Sequence, residues 1–230
     1  MIQDGIPRTA VVPIKGYRLI HTKYPTIDIF DDVASPDEFD ILFEIQEITN
    51  PRLANEVGNL GLLPRSEWVL GIPGANYAMA AFTHVNPEGS RFSNGEYGVY
   101  YIGDSKDTAI SEIKYHCERY WRNVPELKFE RFEYRCLATE MAGAVFADIT
   151  GLPDSHPYYH PTDYQPAQEF GAQLRASNEI GVTYRSVRNP GGICWGLFTP
   201  RLITSIIPSS LHQIIWDRGI ISVSQVTPAS

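Results

Sequence analysis

The sequence predicts a mixed α+β domain with a mostly antiparallel β core. Two observations carry that expectation. Segments with strand character outnumber segments with helical periodicity, and the two kinds do not alternate strictly, as a doubly wound parallel sheet would require. A hydrophobic content of 43% with 20% charged residues, over 230 residues, is ordinary globular usage and supplies a sizeable core.

After an irregular start, Gly16 to Ile20 reads as a short strand. Ser35-Pro36-Asp37-Glu38 starts a helix, with serine at the cap, proline at the first position and glutamate at the third. Phe39, Leu42, Phe43 and Ile45 or Ile48 form its apolar stripe, and Pro51 stops it. The stretch from Arg52 to Pro64 fits neither period. Gly98 to Gly103 (GVYYIG) is a strand, followed by a helix capped by Asp104 or Ser105. On that helix Ala109, Ile110, Ile113, Cys117 and Tyr120 share one face, while Lys114 and Glu118 look outward. Phe132, Tyr134 and Cys136 alternate with Glu133 and Arg135, as on a half-buried strand, and Val145 to Ile149 is another. A turn-rich insert, GLPDSHPYYHPTDY, leads to a helix from about Gln165 to Ala176 that turns Ala167, Phe170 and Leu174 inward. Short strands follow near Val182–Ser186, Cys194–Phe198, Ile203–Ile207, His212–Trp216 and Ile220–Ser224.

The formal net charge of −8, from 19 basic and 27 acidic residues, leaves no broad cationic field for a phosphate backbone. Direct nucleic-acid binding is not expected; a small phosphorylated ligand held by one or two arginines remains open. Cys117, Cys136 and Cys194 are too few and too scattered for a disulfide framework, and no CxxC pair offers a zinc site. Pro157 between His156 and His160 prevents the helical presentation of paired metal ligands, so no metal is expected. There is no signal-like amino terminus and no apolar run of the ~20 residues that span a bilayer. A cytoplasmic location with no membrane contact is the expectation.

Two polar clusters carry chemistry. Ser90-Arg91-Phe92-Ser93-Asn94-Gly95 precedes the strand holding Tyr100 and Tyr101, and Glu112 follows at the border of the next helix's apolar face. From there a carboxylate looks along the sheet into a cleft; the ordinary alternative is a solvated glutamate pairing with His116 at i,i+4. Further on, Tyr184-Arg185-Ser186-Val187-Arg188-Asn189-Pro190-Gly191-Gly192 sets arginines beside serine and paired glycines, a set able to cradle a diphosphate or simply to turn between strands. No P-loop, GxSxG elbow or HExxH pair occurs.

In order and spacing these clusters resemble the RES domain, named for its arginine, glutamate and serine. Within SRFSNGEYGVYYIGDSKDTAISE the corresponding residues are Arg91, Tyr101 and Glu112, and within YRSVRNPGGICWGLF the serine is Ser186. GYRLIHTKYPTIDIFDDVASPDEFD, ITNPRL and TDYQPAQEFGAQLRASNEIGV are similar to long members, so the resemblance covers nearly the whole chain. It implies one domain over residues 1–230, with an N-terminal extension of about 1–60 packed on the core. Two departures stand out. The family's Gly-Arg-Trp-Asn loop is Ser90-Arg91-Phe92-Ser93, and the proline before the serine is Arg185.

The resemblance further implies an ADP-ribosyltransferase-like fold with a split β core around an NAD⁺ cleft. It implies a toxin neutralised by an Xre-type antitoxin, present as a homodimer or as a toxin–antitoxin hetero-oligomer. NAD⁺ would be substrate, its nicotinamide–ribose bond cleaved with water or phosphate as acceptor. Transfer of ADP-ribose to a protein is the alternative chemistry, and a non-catalytic antitoxin-binding module the alternative class. In these terms Glu112 faces the ribose, Arg91 holds the pyrophosphate, Tyr101 stacks on nicotinamide and Ser186 bonds its side of the substrate. Arg188 supports the phosphates.

Overall fold

The computed structural model describes residues 5–24, 29–50 and 52–226. Among the described residues nine β-strands and five α-helices follow in order, as expected for α+β. They are β1 (Arg8–Val11), β2 (Ile14–His21), α1 (Pro36–Thr49), α2 (Leu53–Val57), α3 (Ala75–Thr83), β3 (Tyr100–Gly103), α4 (Lys106–Trp121) and β4 (Phe129–Met141). Then come β5 (Ala144–Asp148), α5 (Gln165–Ala176), β6 (Gly181–Arg185), β7 (Ile193–Leu197), β8 (Ile203–Asp217) and β9 (Ile220–Val226). The described strands form one sheet in the order β1-β5-β6-β7-β3-β2-β4-β8-β9. Its pairs are antiparallel except β5 with β6.

The sheet splits at its centre. β2 pairs with β4 along eight residues, from Ile14↔Met141 to His21↔Tyr134, but meets β3 only at Tyr17↔Gly103. Two half-sheets therefore diverge between β3 and β2. One face is covered by α1 to α3 over a core that includes Phe30, Phe39, Met79, Tyr100, Leu137 and Phe146. The other carries two separate clusters. One, with Phe92, Phe170 and Leu174, packs α5 on β5, β6 and β7; the other, with Leu19, Cys117, Trp121 and Trp216, packs α4 on β2, β4 and β8. The gap between these clusters lies over the split.

Most elements follow from local chemistry. Ser35 accepts the Glu38 N–H at 3.2 Å and Ser105 the Thr108 N–H at 3.1 Å, so both predicted caps form. Pro51, expected to stop α1, lies outside the described residues. Four readings change. Trp121 takes the inward place expected of Tyr120: its indole stacks on Phe132 at 3.7 Å and leaves Tyr120 exposed at 66%. Ile45 and Ile48 are on the outer surface of α1, at 59% and 83% exposure, because Phe39, Leu42 and Phe43 already fill its inner face. The two strands expected over 203–216 are one, β8, which passes Pro208 at a bulge: Leu137 pairs with Pro208 and Cys136 with Ser210. Among the described residues β9 pairs β8 only from Leu211 onward, so no described strand requires an N–H from Pro208 on that side. Finally, β1 and α3 form in stretches read from the sequence neither as strand nor as helix.

Cys117, Cys136 and Cys194 are buried free thiols, and no described helix is long and apolar enough to cross a membrane. Burial raises the pKa of seven phenols, Tyr97, Tyr100, Tyr101, Tyr134, Tyr158, Tyr159 and Tyr184, Tyr101 to about 12. A raised folded-state pKa contributes stability that is complete below the unfolded value of ~10 and lost as pH climbs through the folded value. Denaturant midpoints should thus hold up to pH ~10 and fall steeply above it; an unchanged midpoint at pH ~11.5 would contradict this burial pattern.

Candidate active site

β3 runs out of the split directly into α4, and this junction aims Glu112. Thr108, one turn before it, is fully buried and donates to Asp104 Oδ1 at 2.6 Å, while Asp104 Oδ2 accepts the Ile193 N–H at 2.9 Å. Asn189 Nδ2 donates to Thr108 Oγ1 at 2.8 Å. The start of α4 is thereby bolted to the loop from Ser186 to Gly192, which the Ser186 N–H closes on the Gly192 carbonyl at 2.8 Å. Across that junction Ser186 Oγ donates to Glu112 Oε1 at 2.6 Å and accepts the N–H groups of Arg188 (3.1 Å) and Asn189 (2.9 Å). Two backbone donors fix the hydroxyl as an acceptor, so its one proton goes to the carboxylate. Glu112 Oε2 has no hydrogen bond among the described residues, and the alternative pair with His116 is not made. Removing the hydroxyl should therefore loosen both the carboxylate and the turn. Ser186→Ala is expected to lower stability by about 1–2 kcal/mol in denaturant titration; an unchanged midpoint would contradict the three-bond arrangement.

Glu112, Arg91 and Tyr101 line one cavity of about 200 Å³, with Tyr17, Arg18 and Leu19 of β2 on the far side of the split. The Tyr101 hydroxyl accepts the Phe92 N–H at 2.9 Å and meets Ser90 Oγ at 2.8 Å, tying the strand to the arginine loop. Burial raises its pKa to about 12 against those bonds and the Arg91 and Arg18 cations, so the phenol keeps its proton in the neutral range. Ser186 holds Glu112 without lining the cavity, and Arg188 does not line it either.

Arg91 is buried, at 8% exposure. Its Nη1 donates to the carbonyls of Tyr158 (2.9 Å) and His160 (3.1 Å), and its guanidinium lies 4.6 Å from the centroid of the Tyr164 ring. Arg188 Nη2 donates to the Pro161 carbonyl, which Tyr115 OH also reaches at 3.0 Å. The turn-rich insert is thus a strap pinned beside the cavity by two of the arginines expected to meet phosphates. Its histidines serve the turns: His156 Nδ1 accepts from Tyr158 N, and His160 Nδ1 from Thr162 N and Asp163 N.

Both departures from the family pattern have local partners. Phe92 is fully buried with its ring edge-on to Tyr184 at 5.0 Å, and Ser93 Oγ closes its loop on Tyr97 O at 2.5 Å. Arg185 pairs with Asp154 at 2.7 Å, donates to Leu152 O and covers the Tyr159 ring, so it anchors the strap.

Sequence reasoning missed Arg18, His116, Tyr164, Tyr184 and Cys194 as cavity walls. For His116 the signal was present, four residues after Glu112 on one helix. Its imidazole pKa is held below the ordinary value by its surroundings and by the Arg188, Arg91 and Arg119 cations. Tyr184 and Cys194, opposite each other on β6 and β7, are kept protonated mainly by burial, with Glu112's charge adding to it. The thiol is therefore a poor nucleophile.

A family model described as RES domain matches residues 68–217. An uncharacterized protein of Sinorhizobium fredii (strain NBRC 101917 / NGR234), y4oC, is 24% identical over 209 residues, covering 90% of this chain and 85% of the relative. Among solved structures, the M. tuberculosis MbcT–MbcA toxin–antitoxin complex aligns at a TM-score of 0.40 with 16% identity, over 62% of this chain and 74% of that one. The matched span runs from Trp68 to Asp217 and takes in Arg91, Tyr101, Glu112 and Ser186, well over half of the sequence; the chain belongs to the RES domain family.

Proposed function

We propose that this protein is the toxin of a toxin–antitoxin pair, that it binds NAD⁺, and that it cleaves the bond between nicotinamide and ribose, with water or phosphate as acceptor. The observation that carries the reading is Glu112, held by Ser186 at 2.6 Å and facing a cavity it shares with Arg91 and Tyr101. Membership of the RES family supports the toxin role, and an antitoxin of Xre type is the partner proposed with it.

As the C1′–N bond breaks, its electron pair leaves on nicotinamide and quenches the pyridinium charge, while positive charge grows on the ribose. A preorganised carboxylate next to that carbon favours the transition state over the ground state. Glu112 takes this role, its free Oε2 accepting a ribose hydroxyl. Ser186 holds the carboxylate in place, and Tyr101 offers its ring face to nicotinamide. The cavity, about 200 Å³, is small beside the ~300–1,000 Å³ of most ligand pockets, and on this reading the nicotinamide riboside end of NAD⁺ is seated in it. The diphosphate then lies at the mouth, where Arg91 and Arg188 meet it by exchanging strap carbonyls for phosphate oxygens.

Expression without the antitoxin tests the reading in a cell. Growth arrest accompanied by a fall in total NAD⁺ is expected, with neither seen for Glu112→Ala. Arrest at constant NAD⁺ would contradict it.

A further inference from the structure

The outer face of α1 presents three isoleucines in one row. Ile41, Ile45 and Ile48, at i, i+4 and i+7, are 62%, 59% and 83% exposed. Single exposed apolar residues are normal on any surface, but a β-branched row along two turns of one helix is a stripe. The core does not need it. α1 is already seated by Phe39, which stacks on Phe30 at 4.8 Å and Phe43 at 5.8 Å and meets the Trp68 ring at 5.2 Å.

Charge says what kind of molecule covers the stripe. By helical geometry Asp37, Asp40, Glu44 and Glu47 run along one side of it, and α1 has no basic residue in its last turn. Arg65 answers the first two, at 2.6 Å from Asp40 and 3.9 Å from Asp37. Glu44 and Glu47 are exposed and have no hydrogen bond or ion pair among the described residues. Glu47 also stands in the last turn of the helix, where the macrodipole disfavours an anion. A helix that keeps an unpaired carboxylate in the last turn, where its own dipole opposes it, beside an apolar row it does not bury, breaks two local rules at one place, and such conflicts mark functional surfaces. A second copy of this chain would bring the same carboxylates and a net charge of −8, so like charges would meet.

We propose that this face of α1 docks a basic amphipathic helix of a protein partner. The partner's apolar residues would cover Ile41, Ile45 and Ile48, and its lysines or arginines would pair with Glu44 and Glu47. The proposal does not depend on the NAD⁺ reading, since the face belongs to α1 and none of its residues lines the cavity.

The full chain can be titrated with a synthetic helical peptide of about three heptads, with leucines at a and d flanked by lysines, and with its glutamate-flanked twin. The lysine peptide should bind, more weakly as salt rises, and the glutamate peptide should not. Ile45→Ser/Ile48→Ser, at exposed sites that leave the fold intact by circular dichroism, should weaken binding about tenfold or more. Glu44→Lys/Glu47→Lys should exchange the preference to the glutamate peptide. Lysine-peptide binding that survives the serine pair would mean general attraction to an acidic protein and would overturn the proposal. So would a failure of the preference to exchange, or a concentration-dependent dimer in sedimentation that the serine pair abolishes, the last naming a second copy as the occupant.

Discussion

Replacing Glu112 by glutamine is expected to cut nicotinamide release by about a thousandfold, roughly 4 kcal/mol of transition-state stabilisation, while leaving the fold and NAD⁺ affinity nearly unchanged. Glutamine keeps the size of the side chain and an oxygen that can accept from Ser186 Oγ, so the 2.6 Å contact has an acceptor in the variant too. What disappears is the negative charge; the amide nitrogen that takes the place of Oε2 can still hydrogen-bond the ribose hydroxyl, now as donor instead of acceptor. In the ground state the positive charge sits on the pyridinium ring rather than on the ribose carbon, so the carboxylate meets it at longer range and binding loses less than rate. As the pyridinium departs, the ribose becomes cationic and the missing carboxylate is felt in full, so kcat falls and KM stays close to its original value. A Glu112→Gln enzyme whose kcat stays within tenfold of the original would place the charge outside the chemistry. One that loses affinity in proportion to rate would make Glu112 a binding residue only.

The second large effect is structural and reaches the site from behind. Gly171 lies in the middle of α5, where glycine costs about 1 kcal/mol relative to alanine, so another term must favour it. The reason is contact. A Cβ at Gly171 would lie 2.2 Å from the carbonyl oxygen and 2.8 Å from the carbonyl carbon of Phe92, both backbone atoms. Phe92 follows Arg91, and its N–H is held by Tyr101 OH at 2.9 Å, so the loop cannot retreat without disturbing two residues of the cavity. Gly171→Ala is expected to cost about 3 kcal/mol in denaturant titration, despite alanine's better helix propensity, and to reduce nicotinamide release together with stability. A variant as stable as the parent would show that α5 does not press on the arginine loop.

How far the sequence could be read follows from where each element finds its partners. α4 was legible because its serine cap, its apolar row and Glu112 lie within one short stretch. α3 was not, because its N-terminus is capped from far away: Asp31 accepts the N–H groups of Gly74 at 2.7 Å and Asn76 at 3.0 Å. Only Val11 of β1 reaches the core, and the strand is otherwise defined by its ladder to β5. The isoleucines of α1 fooled the periodicity reading because a helix with two apolar sides offers two candidate inner faces, and only the aromatic contacts of Phe39 show which is used. In the site, the order of Arg91, Tyr101, Glu112 and Ser186 was visible, whereas the strap's grip on Arg91 and Arg188 was not. Backbone carbonyls accept from any arginine and leave no mark in the residue code. Arg18 was invisible for a related reason, since it enters the cavity wall only once β2 and β3 are known to part beyond Tyr17 and Gly103.

One measurement bears most directly on Glu112 acting at the ribose carbon: the purified chain is incubated with NAD⁺, with and without inorganic phosphate, and the products are separated by chromatography and identified by mass. Free nicotinamide in amounts matching the NAD⁺ consumed is the predicted result, with the ADP-ribose portion recovered free or carrying the phosphate. NAD⁺ left intact, or cleaved at its diphosphate into two mononucleotides, would contradict the account.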